Sequence, residues 1–504
     1  QVVELRAADN DIVLRGLLLI TRELLQKAPE LKEPLGKKYG LVKQVFHECL
    51  FAHPDVSRPA DKAASAPPPK CKSPESRKFA FSLLGELVRG KCFGQTPSRH
   101  LNRKDWEFEA RAEEKSEFGY AGRPSHPRVF NPLVVGIKNL GCICYMNSLM
   151  QQMFMIPKLR QNILAVEEKE DQRQDSFLFA MQNIMAFLQE SEKQYANPSR
   201  FCHNFKDWEG NPTNVNVQMD SNEFLNMLFD RVDEKVKGTP YDMTLKEVLG
   251  GAFSEQFIGK GGCPHFKEKE EPFYAVAVNV KNKRNLEESL RAFVEGELLS
   301  GDNAYMCGEC KKKVDTLKRT CLKRLPPTLA FCFKRFEFDF DTMQKIKLNS
   351  RMEFPTELNL KAFTREHLMQ QDRQKNPNAP VAAASTADSK QAENPAEITF
   401  QDDSYYQYRL AGILIHTGSA DRGHYYSFAK ERLTPKAGRT AKWFEFNDTI
   451  VRPFNEADIP EECFGGEEQA PARLPLGYNY GQQGVQEKYR NAYLLFYDRV
   501  AKED

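Results

Sequence analysis

Cys144 lies in the segment 136–148, GIKNLGCICYMNS, where a glycine-containing turn meets an apolar stretch with helical spacing. A helix N-terminus stabilises negative charge, so this placement is expected to lower the thiol pKa and make a nucleophile. A thiolate needs a base, and the base needs an orienting partner. His424 opens a predicted strand behind a glycine-containing loop in 416–426, HTGSADRGHYY. Asn447 ends another predicted strand in 443–448, WFEFND, on the opposite face to Phe446. Its amide is expected to hydrogen-bond the His424 ring. Each residue alone is more often structural, as a buried thiol, a strand histidine or a turn asparagine. Together they point to nucleophilic catalysis by a thiol with an imidazole base and an amide orienter, in the chain order Cys, His, Asn.

A second cluster suits a metal. Cys307 and Cys310 form a close pair, and GKGGCPHF at 259–266 offers Cys263 and His265 upstream. A ribbon of four cysteines would carry one at 260, where the chain has Lys260. Zinc takes four nitrogen or sulfur ligands in structural sites. The expectation is one structural Zn2+ on Cys263, His265, Cys307 and Cys310, between two arms of a β finger. The alternative is a decayed ribbon without metal.

These residues need elements to position them. Residues 1–53 and 77–90 have helical spacing, and 54–76, with Pro67-Pro68-Pro69, reads as a linker. Residues 101–130 read as an extended lead-in. Apolar residues recur at helical spacing over 144–156, 176–190 and 221–236, and Pro157 should end the first helix. Beyond about residue 250 strands dominate. Val276, Val278 and Val280 alternate, and apolar runs follow at 328–336, 407–416, 424–429, 442–447 and 492–498. Helices first and strands later predict an α+β catalytic domain. The stretch 365–403 has almost no large apolar residue and is expected to be a disordered insertion. Residues 466–485 form a second insertion-like stretch.

The chain has 504 residues, with 72 basic and 70 acidic side chains and a formal net charge of +2. That balance excludes a simple basic nucleic-acid binder, and the Lys/Arg runs read as solvated faces. The longest aliphatic run is Leu17 to Ile20, so no membrane span is expected. Twelve cysteines are too sparse for a disulfide scaffold. Free thiols and the lack of an apolar signal core after Gln1 give a cytoplasmic expectation, with the nucleus also open. A start at Gln1 suggests a fragment of a longer protein.

Residues 136–148 resemble the cysteine box of the ubiquitin-specific proteases. Residues 408–429, YRLAGILIHTGSADRGHYYSFA, and 443–448 resemble their histidine box. QMDSNEFL at 218–225 is similar to the box between them, and KRF at 334–336 to a palm-strand motif. The resemblance runs from about 134 to 498. The finger spacing and CFGG at 463–466 look most like the large fat-facets-type members, in which a helical-repeat region precedes the catalytic domain. Their finger also has the Cys-x-His pair seen here.

The resemblance implies a papain-like fold with a helical thumb, a β-sheet palm and zinc-bearing β fingers at about 250–325. A catalytic domain over 131–500 would follow a helical N-terminal segment, 1–130. It makes Cys144 the nucleophile, His424 the base and Asn447 the orienter, with Asp448 as a helper. Asn139 would stabilise the oxyanion. Gln218 and Asp220 would hold the C-terminal tail of ubiquitin, with Glu223 beside them, and Tyr425 would line a narrow slot for its glycines. Asp220 and Glu223 also have capping-box spacing. His416 would line the cleft without acting as base. The expected partners are ubiquitin and ubiquitinated proteins. The chain departs from the family at Ile143, where threonine is usual, and at Cys142. Those departures are the grounds for a rival reading, a ubiquitin-binding pseudo-enzyme. A protease for a ubiquitin-like modifier is a lesser alternative.

Overall fold

A computed structural model of the chain describes residues 12–32, 34–35, 39–50, 71, 74–88, 135–169, 171–191, 193–207, 209–375, 400–432, 441–469 and 485–500. The chain divides into two compact units, 1–125 and 126–504. In the first, α1 (Ile12–Lys27) packs on α2 (Pro74–Val88). Leu18 and Leu25, one face of α1, join Ala80, Leu83, Leu84 and Leu87 in one apolar cluster. Glu86 is buried there and accepts from Lys32 Nζ at 2.6 Å. Helix α2 starts at Pro74, inside the predicted linker, because a proline's fixed φ suits a first helical turn. Most of the linker and the lead-in at 101–130 lie outside the described residues.

The second unit is α+β. Its first helices are α3 (Cys144–Phe154), α4 (Pro157–Ala165), α5 (Phe177–Glu190) and α6 (Ser221–Val236). Pro157 does not merely stop α3. It opens α4, where its missing N–H is no loss. The Ser176 hydroxyl caps α5 by accepting from the Phe179 N–H at 3.3 Å. Asp220 caps α6, accepting from the N–H groups of Asn222 and Glu223 at 2.7 and 3.1 Å.

Behind these helices come the strands. The finger region contains β1 (Gly251–Gly259), β2 (Phe266–Phe273), β4 (Glu297–Leu299), the short pair β5 (Tyr305–Cys307) and β6 (Lys312–Val314), and β7 (Thr316–Arg324). Four of them form a sheet in the order β2-β1-β7-β4. The main sheet contains β3 (Ala275–Asn279), β8 (Thr328–Lys334), β11 (Glu357–Asn359), β12 (Gln407–Gly418), β13 (Gly423–Lys430), β14 (Trp443–Asn447), β15 (Ile450–Phe454) and β16 (Arg490–Arg499). Its order is β15-β14-β13-β12-β16-β8-β3, with β11 on β12. A separate hairpin, β9 (Phe336–Asp339) and β10 (Gln344–Lys347), follows β8.

Strand alternation divides the core between the two faces of the main sheet. Leu494 and Phe496 face the helices with Leu414 and Phe446, while Leu495 and Tyr497 join Ile413, Phe428 and Trp443 opposite. Part of the predicted insertion is ordered. Residues 365–375 form helix α7 (Arg365–Lys375), which corrects the disordered reading there. Its polar side chains are fastened from outside it. Arg365 holds Glu268 of β2 through two nitrogens at 2.7 and 3.0 Å, and Asp372 meets Arg319 of β7 at 2.6 Å. Residues 376–399 lie outside the described residues. The second insertion-like stretch is flanked by paired strands, Glu467–Gln469 with Val485–Glu487, and 470–484 lies outside the description.

Candidate active site

The turn before α3 is built by side chains. Asn139 Oδ1 accepts from the N–H groups of Gly141 and Ile143 at 3.0 and 3.3 Å, so Asn139 shapes the turn. Its Nδ2 donates to Asp448 Oδ2 at 3.0 Å, and Asn147 Nδ2 donates to Asp448 Oδ1 at 2.8 Å. The Ile137 N–H donates to the Asp448 carbonyl at 2.8 Å. Asp448 sits in the two-residue turn between β14 and β15 with φ 49°, a left-handed conformation that aspartate tolerates. A Cβ on Gly136 would lie 2.5 Å from the Asp448 carbonyl oxygen, so the approach requires glycine. One carboxylate oxygen of Asp448 thus bonds the turn before Cys144, and the other bonds Asn147 within α3 itself.

Helix α3 is also locked into the sheet. Buried Gln152 donates Nε2 to the carbonyls of Phe428 and Ile413 at 2.8 and 3.3 Å. A Cβ on Gly412 would lie 2.0 Å from Gln152 Oε1, so glycine makes room for this side chain.

Cys144 is the first residue of α3 and is 3% exposed. Burial pushes its thiol above the ordinary value, and the nearby Asp448 charge adds to this. Backbone N–H groups of Tyr425, Tyr145 and Cys144 itself oppose the shift without reversing it. The lowered thiol pKa expected from the helix N-terminus is therefore not found, because desolvation outweighs the N–H groups. Ile143, the N-cap, is buried and supplies no side-chain cap. Gln218 bridges nucleophile and histidine strand. Its Nε2 is 3.9 Å from Cys144 Sγ, and its Oε1 accepts from the Gly423 N–H at 3.3 Å.

His424 stands near the start of β13, opposite Thr417 of β12. Its Nε2 is 2.8 Å from Asn447 Oδ1, and Asn447 Nδ2 donates to Glu445 Oε1 at 3.3 Å. An amide oxygen only accepts, so Nε2 carries a proton and Nδ1 of the neutral ring is the basic nitrogen. Glu445 was missed from sequence, although the alternation in WFEFN puts it on the face of Asn447.

His416 is buried, with Phe336 and Tyr425 against its ring. Burial lowers its pKa to about 3, and the charges of Lys347 and His424 contribute. It stays neutral at physiological pH and is not poised as a base.

A cavity of about 600 Å³ is lined by Gln218, Asp220, Glu223, His416 and Tyr425, and it reaches Tyr145 beside Cys144. Asp220 does more than cap α6. The Tyr493 hydroxyl, near the start of β16, lies 2.6 and 2.8 Å from its two oxygens. Tyr493 carried no signal in sequence beyond its place in an apolar strand.

The donor atoms of Cys263, His265, Cys307 and Cys310 all lie within 4.8 Å of one another, and this cluster could hold a metal ion. Cys263 Sγ is 3.8 Å from Cys307 Sγ and 3.7 Å from Cys310 Sγ. His265 Nδ1 is 3.3 to 3.5 Å from the three sulfurs. A tetrahedron with metal–sulfur bonds of about 2.3 Å and a metal–nitrogen bond of about 2.0 Å needs sulfur–sulfur edges of about 3.8 Å and sulfur–nitrogen edges of about 3.5 Å. The Cys310 N–H donates to Cys307 Sγ at 3.4 Å and is the largest cause lowering that thiol to about 7, while burial and the neighbouring sulfurs raise the Cys310 thiol to about 11.

A family model described as ubiquitin carboxyl-terminal hydrolase matches residues 135–497. Ubiquitin carboxyl-terminal hydrolase 24 of Homo sapiens is 33% identical over 99% of this chain and 19% of its own length. Ubiquitin carboxyl-terminal hydrolase puf of Drosophila melanogaster is 34% identical over 99% of this chain and 12% of its length. Ubiquitin carboxyl-terminal hydrolase 9X of Mus musculus is 32% identical over 97% and 21%. The fold and the match define the class, that of the ubiquitin carboxyl-terminal hydrolases. The chain belongs to the ubiquitin carboxyl-terminal hydrolase family, as a ubiquitin-specific protease. It spans about a fifth or less of the length of these relatives.

Proposed function

We propose that this chain hydrolyses the peptide or isopeptide bond after the C-terminal glycine of ubiquitin. The observation that carries this reading is the 2.8 Å contact of His424 Nε2 with Asn447, beside a Cys144 thiol that faces the Tyr425 N–H. Burial keeps the resting thiol protonated, so His424 Nδ1 must take its proton as the sulfur attacks. Asn447 holds the imidazole in the tautomer that leaves Nδ1 free, and Glu445 anchors the Asn447 amide. The carbonyl carbon becomes tetrahedral, and its oxygen gains negative charge. Asn139 has a second Nδ2 hydrogen besides the one given to Asp448, and this donates to the oxyanion with the Cys144 N–H. One such donor contributes about 3 kcal/mol to the barrier. The imidazolium then protonates the leaving amine, and a thioester remains. Water, deprotonated by the same imidazole, releases ubiquitin.

The carboxylate of Asp220 faces an arginine in ubiquitin's tail, a pairing that suits guanidinium geometry. Gln218 and Glu223 hold the tail, and Tyr425 narrows the slot so that only glycines pass. Zn2+ would be held by Cys263, His265, Cys307 and Cys310. With all four positions taken it supports the fingers and takes no part in hydrolysis. We place the activity in the cytoplasm or nucleus, where free thiols persist.

The test is labelling with ubiquitin that carries an electrophile at its C-terminus. Wild type should form a covalent adduct and Cys144→Ala should not. Binding without an adduct in either protein would support the pseudo-enzyme. An adduct surviving in Cys144→Ala would assign the nucleophile to another cysteine.

A further inference from the structure

The hairpin of β9 and β10 borders the cleft, where Phe336, Glu337, Phe338 and Lys345 line the cavity. Its last residue, Lys347, pairs with Phe336 and turns its ammonium away from the hairpin into three backbone carbonyls. The Nζ donates to Tyr489 at 2.7 Å, His416 at 3.0 Å and Gly418 at 3.2 Å. An ammonium has three hydrogens, and all three are used. Among the described residues no carboxylate pairs with it. Two of the carbonyls belong to the end of β12, where Thr417 pairs with His424 and Gly418 with Gly423. The third immediately precedes Arg490, which pairs with Thr417 on the other side. Lys347 therefore sits where the cleft hairpin, the histidine turn and the start of β16 meet.

Arg335, next to Phe336 at the same open end of the hairpin, reinforces the junction. Its Nε donates to the Ala492 carbonyl at 2.7 Å, and another nitrogen donates to Leu348 and Ser350 at 2.8 and 3.1 Å. Burial lowers the Lys347 ammonium to about 7, Arg335 lowers it further and Glu487 opposes. A cation kept at such a place needs a use, because removing it from water is costly.

We propose that Lys347 is a positioning residue that clamps the histidine turn to the cleft hairpin and so sets the His424 ring against Cys144. This rests on the deubiquitinase reading above. Without the clamp, the Gly418–Gly423 end of the hairpin β12–β13 keeps only its strand pairing, the Gly418 N–H bond to the Tyr489 carbonyl at 3.1 Å and the Gln218 bond to Gly423 at 3.3 Å. A displacement of about 1 Å between reacting groups lowers a rate by roughly 10²-fold. The loss should fall on the chemical step, since Lys347 is not among the residues that line the cavity.

The test uses the full chain with Lys347→Met, which keeps the arm and removes the donors. Two readouts are taken. One is steady-state hydrolysis of ubiquitin bearing a C-terminal fluorogenic amide. The other is iodoacetamide alkylation of Cys144 without ubiquitin, at about pH 7 and about pH 10. The proposal expects kcat to fall about tenfold or more with KM within about twofold. Alkylation should slow near pH 7, where His424 must take the proton, and should be unchanged near pH 10, where hydroxide does so. A general loosening of the fold would instead expose the thiol and speed alkylation at both. That result, or wild-type values throughout, or a raised KM with kcat intact, would overturn the proposal. Should Lys347→Met fail to fold, Lys347→Gln carries the same comparison with two N–H donors on a shorter arm. If wild type leaves the ubiquitin amide intact, the deubiquitinase reading fails by itself, and the alkylation pair still decides the role of Lys347.

Discussion

Asp448→Asn separates two roles for the carboxylate beside Asn447. As a helper of the imidazole, Asp448 would act on His424. In the structure its oxygens instead take the Asn139 and Asn147 amides at 3.0 and 2.8 Å. Asparagine accepts the left-handed φ of 49°, so the backbone should survive. It presents one oxygen where there were two. The bond to Asn139 can persist without its charge. The bond to Asn147 meets N–H with N–H, unless Asn147 turns its amide over and gives up its 3.3 Å bond to the Lys138 carbonyl. Asn147 is 2% exposed, so water cannot substitute freely. The net loss is about one hydrogen bond to a charged group, roughly 1.5–3 kcal/mol. Felt in the transition state, that is about 10- to 10²-fold in kcat/KM. Removing the charge also removes one of the causes that raise the Cys144 thiol, so alkaline alkylation should set in at lower pH than in wild type. Hydrolysis of the fluorogenic ubiquitin amide and the pH profile of alkylation measure both. An unchanged kcat/KM, or an alkylation profile displaced upward, would refute the assignment of Asp448 to the nucleophile turn.

Two further expectations follow from groups other than Cys144, His424 and Asn447. Metal analysis of natively purified protein should give about one zinc per chain, and Cys310→Ser or chelation should lower the melting temperature; a near-zero content would remove the site. His416 carries a second, with its sign set by a pKa lowered to about 3 from an ordinary 6.5. The unfolded chain takes up this proton first, so the stabilisation is complete above the ordinary value and is lost as pH falls from there toward about 3. The slope is about 1.4 kcal/mol per pH unit at most. His416→Gln should flatten urea-measured stability between those limits, and parallel wild-type and variant curves would contradict it.

The sequence-level reading succeeded where chemistry and local period coincide. Helix α6 runs Ser221–Val236, as its apolar spacing predicts, and Asp220 caps it through the spacing already visible in 218–225. His424 and Asn447 lie at strand ends because the alternation of β13 and β14 is short and regular. The reading of 365–375 failed for an equally physical reason. Little in REHLMQQDRQK except Leu368 and Met369 is buried, and the helix is secured by Arg319 and Glu268, whose approach no local pattern reveals. The Cys144 pKa failed similarly: the helix N-terminus was legible, but burial by the opposing strand was not.

That failure exposes how the site is held. Helix α3 is fastened at two points to the sheet that carries His424 and Asn447. Asp448, one residue beyond Asn447, holds the turn before Cys144, and Gln152, two turns along α3, enters the sheet at Gly412. Strands β12, β13 and β14, with the turn after β14, therefore carry His424 and Asn447 and also hold both ends of the helix that Cys144 opens. A shift of those strands takes thiol and imidazole together, which preserves their separation better than two independent supports would. The partners are more than 250 residues apart in the chain, 309 for Asn139 with Asp448 and 276 for Gln152 with Phe428. No sequence period spans that distance. What makes them adjacent is sheet order, which sets β12, β13 and β14 side by side under α3. Gly412 and Gly136 mark the contacts in the sequence only as missing side chains, and their meaning depends on what fills the space.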